Sequence, residues 1–136
     1  AHLVERYAKQ DQRIIYLGKI AMDRRKEIFR SSHVSIVSVA KGMKGTCVPS
    51  KSYFSLANYH PLLCFLEEDS EIDLLCREFA CGWTIDLGDE NALSDWVDDL
   101  SVSELQSKQY SVSKIPIDLI DGSFSINRIR SILAEQ

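Results

Sequence analysis

The stretch 40–51, AKGMKGTCVPSK, holds the densest set of groups able to meet an anion. Gly42 and Gly45 give it backbone freedom, so amide N–H groups can close on a phosphate with no Cβ in the way. Ser50 and Lys51 add a hydroxyl and a cation where a helix is expected to begin, at the end that carries partial positive charge. Amides, hydroxyl and ammonium together would make a diphosphate cradle; the same residues also suit a plain loop and cap. The remaining reactive types read as structural. His33 and His60 stand just before expected strands and suit turns or packing. No Ser, His and acid stand at nucleophile-elbow spacing. Cys47, Cys64, Cys76 and Cys81 lack the short paired spacing of a zinc site and read as reduced thiols. No metal and no cofactor is expected. The acidic runs Glu67-Glu68-Asp69 and Asp98-Asp99 read as solvated surface. Asp86 and Asp89 suit a strand end and a cap.

The elements that must position these groups follow from apolar spacing. Arg13–Gly18 is a short apolar run stopped by Gly, the pattern of a buried strand. An amphipathic helix is expected over Met22–Ser31, then a β-branched strand over Val34–Val39. After the Gly-containing loop, Ser50 is expected to cap a helix from Lys51 to Tyr59. Pro61–Leu66 is nearly all apolar, as in a strand covered on both faces. Asp69 or Ser70 caps the next helix, with Ile72, Leu75, Cys76 and Phe79 at helical spacing. Gly82–Leu87 reads as the fourth strand, and Asp89 caps a helix carrying Leu93, Trp96, Val97 and Leu100. Further on, 104–110 reads as helix, 115–121 as a Pro-containing connection, and Ser125 as the cap of a last helix to Ala134. Short strands alternating with helices imply parallel βαβ units. The fold class is therefore α/β, a Rossmann-like parallel sheet with helices on both faces. In such sheets ligands sit at the carboxyl ends of strands, which here means Gly18, the loop from Ala40 to Ser50, and Glu67 to Ser70.

Bulk numbers narrow the partners. The chain has 136 residues, 45% of them hydrophobic and 26% charged, enough for one domain with its own core. A net charge of −4 and a pI near 5.3 argue against nucleic acid, which rewards a basic face. An anionic ligand must then be met by local geometry. No run approaches the roughly 18 apolar residues of a membrane-spanning helix, and the N-terminal residues lack a signal-peptide pattern. A cytoplasmic protein is expected, or one peripheral at the inner membrane face.

Several segments, taken in order, carry a resemblance: Tyr16-Leu17-Gly18, the strand Val34–Val39, Val48-Pro49-Ser50-Lys51, Ala57, Pro61-Leu62-Leu63, Ser70-Glu71-Ile72, Gly82-Trp83 and Leu87-Gly88-Asp89. Their order and spacing resemble the C-terminal, donor-binding domain of retaining glycosyltransferases of the GT-B fold. Within that group the chain is similar to family 4 (glycosyl transferases group 1) enzymes that build bacterial surface polysaccharides. The resemblance implies transfer of a sugar from a nucleotide-diphosphate sugar donor to a saccharide or lipid-linked acceptor. It implies that the donor lies against Gly18, Gly45, Thr46, Cys47, Val48, Ser50 and Lys51, with Ser70 and Glu71 nearby. It names no catalytic residue here.

The departures are informative. Many relatives carry two glutamates eight positions apart, the second holding the nucleotide ribose; the matching residues are Thr46 and Phe54. Glu71 is the leading substitute. The Gly that usually precedes the next strand is Tyr59. The family's donor domain also begins with two further strands and a cationic loop, and closes its cleft with an N-terminal domain. The chain, read as one α/β domain over 1–136, is thus expected to be the nucleotide-sugar-binding part of a larger two-domain enzyme. Alone it would be inactive, with a sheet edge free to pair with a second copy. Two other classes compete: a non-catalytic interaction or receiver-like domain, and a sugar-nucleotide epimerase-like domain. A receiver would need an acceptor Asp where the middle strand ends in Val39-Ala40-Lys41-Gly42.

Overall fold

Leu62, Leu63 and Cys64 are each at most 2% exposed, so the strand β2, Leu62–Phe65, is covered on both faces. That is why its apolar run lacks polar alternation. In the computed structural model, which describes residues 2–86 and 88–134, β2 lies between β1, Ser35–Ser38, and β3, Gly82–Ile85. The three run parallel in the order β1-β2-β3. Ser35, Leu62 and Gly82 stand abreast, as do Val37, Cys64 and Thr84.

Side chains alternate across a sheet, and the core shows it. Val37, Leu62 and Cys64 share one face, where they pack with Leu56 of α3 (Ser50–Leu56) and with Ile72 and Cys76 of α4 (Glu71–Phe79). Val112 and Ile115 close the same cluster. Full burial of one such aliphatic side chain stabilises by about 2 kcal/mol. Trp83 is one step out of phase and faces the other side. There it meets Trp96 of α5 (Glu90–Asp99) edge-on at 5.3 Å, and its Nε1 donates to Glu104 of α6 (Val102–Val112) at 2.6 Å. Helices therefore lie on both faces, as expected. Gly82 is required by a close approach: a Cβ there would collide with the Leu62 carbonyl oxygen and stand 3.0 Å from Cys76 Sγ.

The chain divides into two compact units, Ala1–Ser31 and Ser32–Gln136. The sheet lies wholly in the second. The first holds α1 (His2–Gln10), a 3-10 turn (Met22–Arg24) and α2 (Arg25–Ser31). The strand expected over Arg13–Gly18 is not formed. Ile15 and Leu17 are 77% and 58% exposed, because the unit offers no strand for the run to pair with. An apolar run alone cannot specify a strand when its hydrogen-bonding neighbour is absent. Asp11 sits beside this run; hydrogen bonds from Arg13 hold its carboxyl well below the usual range.

Other boundaries shift by a residue or two. The helix after the loop ends at Leu56 instead of Tyr59. Leu87 lies outside the described residues. The cap expected at Asp89 is present, its side chain accepting from Ala92 N–H at 2.9 Å. The connection 115–121 contains a short helix, α7 (Ile117–Asp121), started by Pro116. The last helix, α8, runs Ser123–Ala134, beginning two residues before the expected cap at Ser125. No helix among the described residues is long and apolar enough to cross a membrane.

Candidate functional site

The connection from β1 to α3 is an exposed loop that folds back on itself. Gly42 and Gly45 take φ of +84° and +76°, the left-handed region that glycine enters without strain. Met43 O accepts from the amides of Thr46 and Cys47 at 3.1 Å each, and from Thr46 Oγ1 at 2.9 Å. The Thr46 hydroxyl is thus turned into its own loop. Ser50 is not the cap: Pro49 takes that position and no side chain caps the helix. Ser50 is the first helical residue, and both it and Lys51 are exposed. With seven residues, α3 has a weak dipole, so loop amides and the Lys51 charge must do most of any anion binding.

The connection from β2 to α4 lies alongside. Ser70 adopts the extended N-cap conformation without a side-chain cap, and its buried hydroxyl finds no hydrogen-bond partner in the protein. Glu71 opens α4 and accepts a hydrogen bond from the Tyr53 hydroxyl of α3. Burial first, and this bond second, hold the Tyr53 phenol above its ordinary range. Cys47, Val48, Ser70 and Glu71 come together on one narrow cleft, walled also by Val39, Lys44, Leu66 and Glu67. Its volume is about 10 Å³, room for at most one water. A ligand must therefore lie across its rim, over the exposed loop.

A wider groove, about 730 Å³, shares Leu66 and Glu67 with the cleft and continues along Gly82, Thr84 and Asp86. Lys41, Arg77 and Lys108 line it, facing Glu68 and Asp73. It is large enough for a small molecule, but its charges are mixed, and Arg77 is engaged by Asp69 and Asp73. Sequence reasoning named Asp86 here and missed the cations, which come from three separate elements with no shared spacing.

Gly18, the remaining candidate, belongs to the first unit, at φ +66°. Glu67, read from sequence as solvated surface, instead accepts hydrogen bonds from the Gly42 and Lys44 amides. His60 is buried and its Nδ1 lies 3.3 Å from Ser35 Oγ, the packing role expected of it. All four cysteines are free, with only Cys47 exposed. The hydrogen bond with Cys64 pushes the Cys76 thiol up and the one with Cys76 pushes the Cys81 thiol up, burial adding to both, so they stay protonated and unreactive. Among the described residues no cluster of His, Cys, Asp and Glu is arranged to hold a metal.

A parallel α/β sheet with candidate residues gathered at the carboxyl ends of adjacent strands defines a Rossmann-like domain, or part of one. The particular likeness is to a Pseudomonas aeruginosa protein described as "Probable glycosyltransferase WbjE", 32% identical over 124 residues. The match takes in 90% of this chain and 30% of that protein, so the chain spans about a third of its relative's length. No family model matches, and no solved structure does. The resemblance to a glycosyltransferase is therefore borne out, for a part of such an enzyme.

Proposed function

We propose that the chain is the nucleotide-sugar-binding part of a retaining GT-B glycosyltransferase, family 4-like, that passes sugars to a saccharide or lipid-linked acceptor. What supports this reading is one coincidence. Cys47 and Val48 of the segment 45–51 and the pair Ser70-Glu71, all marked by the resemblance, line a single cleft at the carboxyl ends of β1 and β2, where parallel sheets bind ligands. The donor's diphosphate would lie over the Gly45–Lys51 loop, and the Lys51 ammonium would offset the charge that grows on the leaving group. Glu71, steadied by Tyr53, would take the ribose contact that Thr46 and Phe54 cannot make.

The rest of the enzyme follows from the same reading. The whole 1–136 chain would belong to one lobe, a second N-terminal domain would bring the acceptor, and this piece alone would be inactive. The exposed edge at β1, where Ile36 is 70% exposed, would suit pairing with a second copy. The enzyme would work in the cytoplasm or at the inner membrane face.

Titration of the full-length protein with UDP and GDP tests the reading. At least one should bind, and Lys51→Ala should weaken it about tenfold, the worth of one charge-assisted contact. Binding of neither nucleotide, with Lys51→Ala changing nothing, would end the donor-site reading.

A further inference from the structure

Glu67 sits in the β2–α4 connection, yet its carboxylate acts on the other loop. One oxygen, Oε2, accepts from Gly42 N–H at 2.9 Å and from Lys44 N–H at 3.2 Å. Two amides two residues apart, converging on one oxygen, form the concave arrangement that holds anions in proteins. The loop's own hydrogen bonds do not leave it: Met43 N–H reaches Ala40 O, and Thr46 and Cys47 N–H reach Met43 O. Residues 41–47 are all exposed, so burial holds them only weakly. Among the described residues, the hydrogen bonds that tie 42–46 to the rest of the fold are those to Glu67.

We propose that Glu67 is the positioning residue of the donor site, its carboxylate fixing the Gly42–Lys44 turn and thereby aiming the segment Gly45–Lys51 at the donor's phosphates. This rests on the donor-site reading above. The geometry favours a pin over a carboxylate that merely keeps a phosphate's place. The two amides it takes precede the candidate segment and do not belong to it, and Glu67 also walls the cleft beside Glu71. A pinned loop presents its binding form before the ligand arrives. An unpinned one is competent only part of the time, and apparent affinity falls by that fraction. A competing carboxylate would do the reverse, since its removal would open the turn to the ligand.

The two roles predict opposite signs, and the full-length protein can distinguish them. Wild type, Glu67→Ala, Glu67→Gln and Lys51→Ala are titrated with UDP and GDP, and amide hydrogen exchange is followed at Gly42 and Lys44 without ligand. Glu67→Ala is expected to bind the nucleotide about tenfold more weakly, the loss of one hydrogen-bonded charge. Its two amides should exchange faster at an unchanged Tm. Glu67→Gln keeps an oxygen acceptor and should recover most of the affinity, a rescue that a role in general stability would not give. Nucleotide binding by Glu67→Ala equal to wild type or tighter overturns the proposal, and so does unchanged exchange at Gly42 and Lys44. If the alanine variant does not fold, Glu67→Met, close in length but without an oxygen acceptor or a charge, takes its place with the same outcomes. If wild type binds neither nucleotide, the donor reading fails by itself, and the exchange rates still decide whether Glu67 holds the loop.

Discussion

The two connections that leave the carboxyl ends of β1 and β2 are built differently. Residues 66–70 are a short link into a nine-residue helix whose sequence suits it. α4 carries Glu71 and Asp73 in its first turn and Arg77 in its last, each complementing the helix dipole. Asp73, only 3% exposed, accepts from Asp69 N–H at 2.8 Å and from Arg77 at 2.9 Å. Residues 39–49, by contrast, wander through solvent into seven residues of helix with no acid in the first turn. In α3 the Ser55 hydroxyl bonds back to Lys51 O at 2.9 Å, and the buried Ser52 hydroxyl has no partner in the protein. Burial of Leu56 to 1% holds α3 in place; its own propensity contributes little. One connection is a frame and the other an adaptable surface set against it. Most of the candidate residues lie on the adaptable one, as binding residues commonly do.

The largest way to break this contrast is to disturb the frame. Gly82 lets α4 close on β3 because no Cβ stands between Leu62 O and Cys76 Sγ. Gly82→Ala should force backbone and helix apart and cost about 3 kcal/mol in urea unfolding, the upper part of the overpacking range. A loss below about 0.5 kcal/mol would mean that the β2–α4–β3 contact gives way easily, and the frame would be no stiffer than the loop.

A smaller test sharpens the contrast at the helix exits. Tyr59, after α3, stands at φ +62°, and Ala80, the C-cap of α4, at +51°. Both occupy the left-handed region, where a Cβ costs roughly 1 kcal/mol. This gives a physical reason for the glycine that the resembling enzymes carry where this chain has Tyr59. Tyr59 is 64% exposed, so Tyr59→Gly gives up little packing and should stabilise by at most about 0.5 kcal/mol after the glycine's added unfolded-state entropy. Ala80→Gly should gain a similar amount. A gain at Ala80 alone, read as a Tm shift, would show that Tyr59 already rests at no cost on something that repays its strained backbone.

How far sequence reasoning reached follows the same division. β2 and α4 were legible because continuous apolar residues and a 3.6-residue period leave few alternatives, and Asp89 because a cap acts within three residues. The convergence of Val48 and Glu71 on one cleft was legible through the order of segments. What escaped was non-local. Arg13–Gly18 has a strand's composition and, among the described residues, forms no strand. Glu67 looks like one acid in a run of three, and nothing nearby in sequence marks its grip on amides 25 and 23 positions away. Ser50 was expected as a cap because Ser before Lys is a common start; Pro49, with its fixed φ, took that place and moved the helix back by one residue.

The smallest effect tests whether the frame's surface charges matter at all. Asp69 stands at φ +57°, a conformation Asn also tolerates, so Asp69→Asn removes the charge and leaves the backbone and the Asp69 N–H to Asp73 bond in place. The Arg77 guanidinium beside it holds the Asp69 carboxyl below its ordinary range. A carboxyl lowered in the folded state stabilises above its unfolded pKa, and that contribution disappears as pH falls through the lowered value. Wild type should therefore melt slightly above Asp69→Asn at neutral pH, and the gap should close in the acid range below the usual aspartate pKa. Both partners are about half exposed, so the gap should be small and should shrink further in high salt. A gap that persists unchanged at low pH or in salt would assign the effect to local backbone geometry. Asp73, nearly buried against the same guanidinium, would then be the charge that fixes the start of α4.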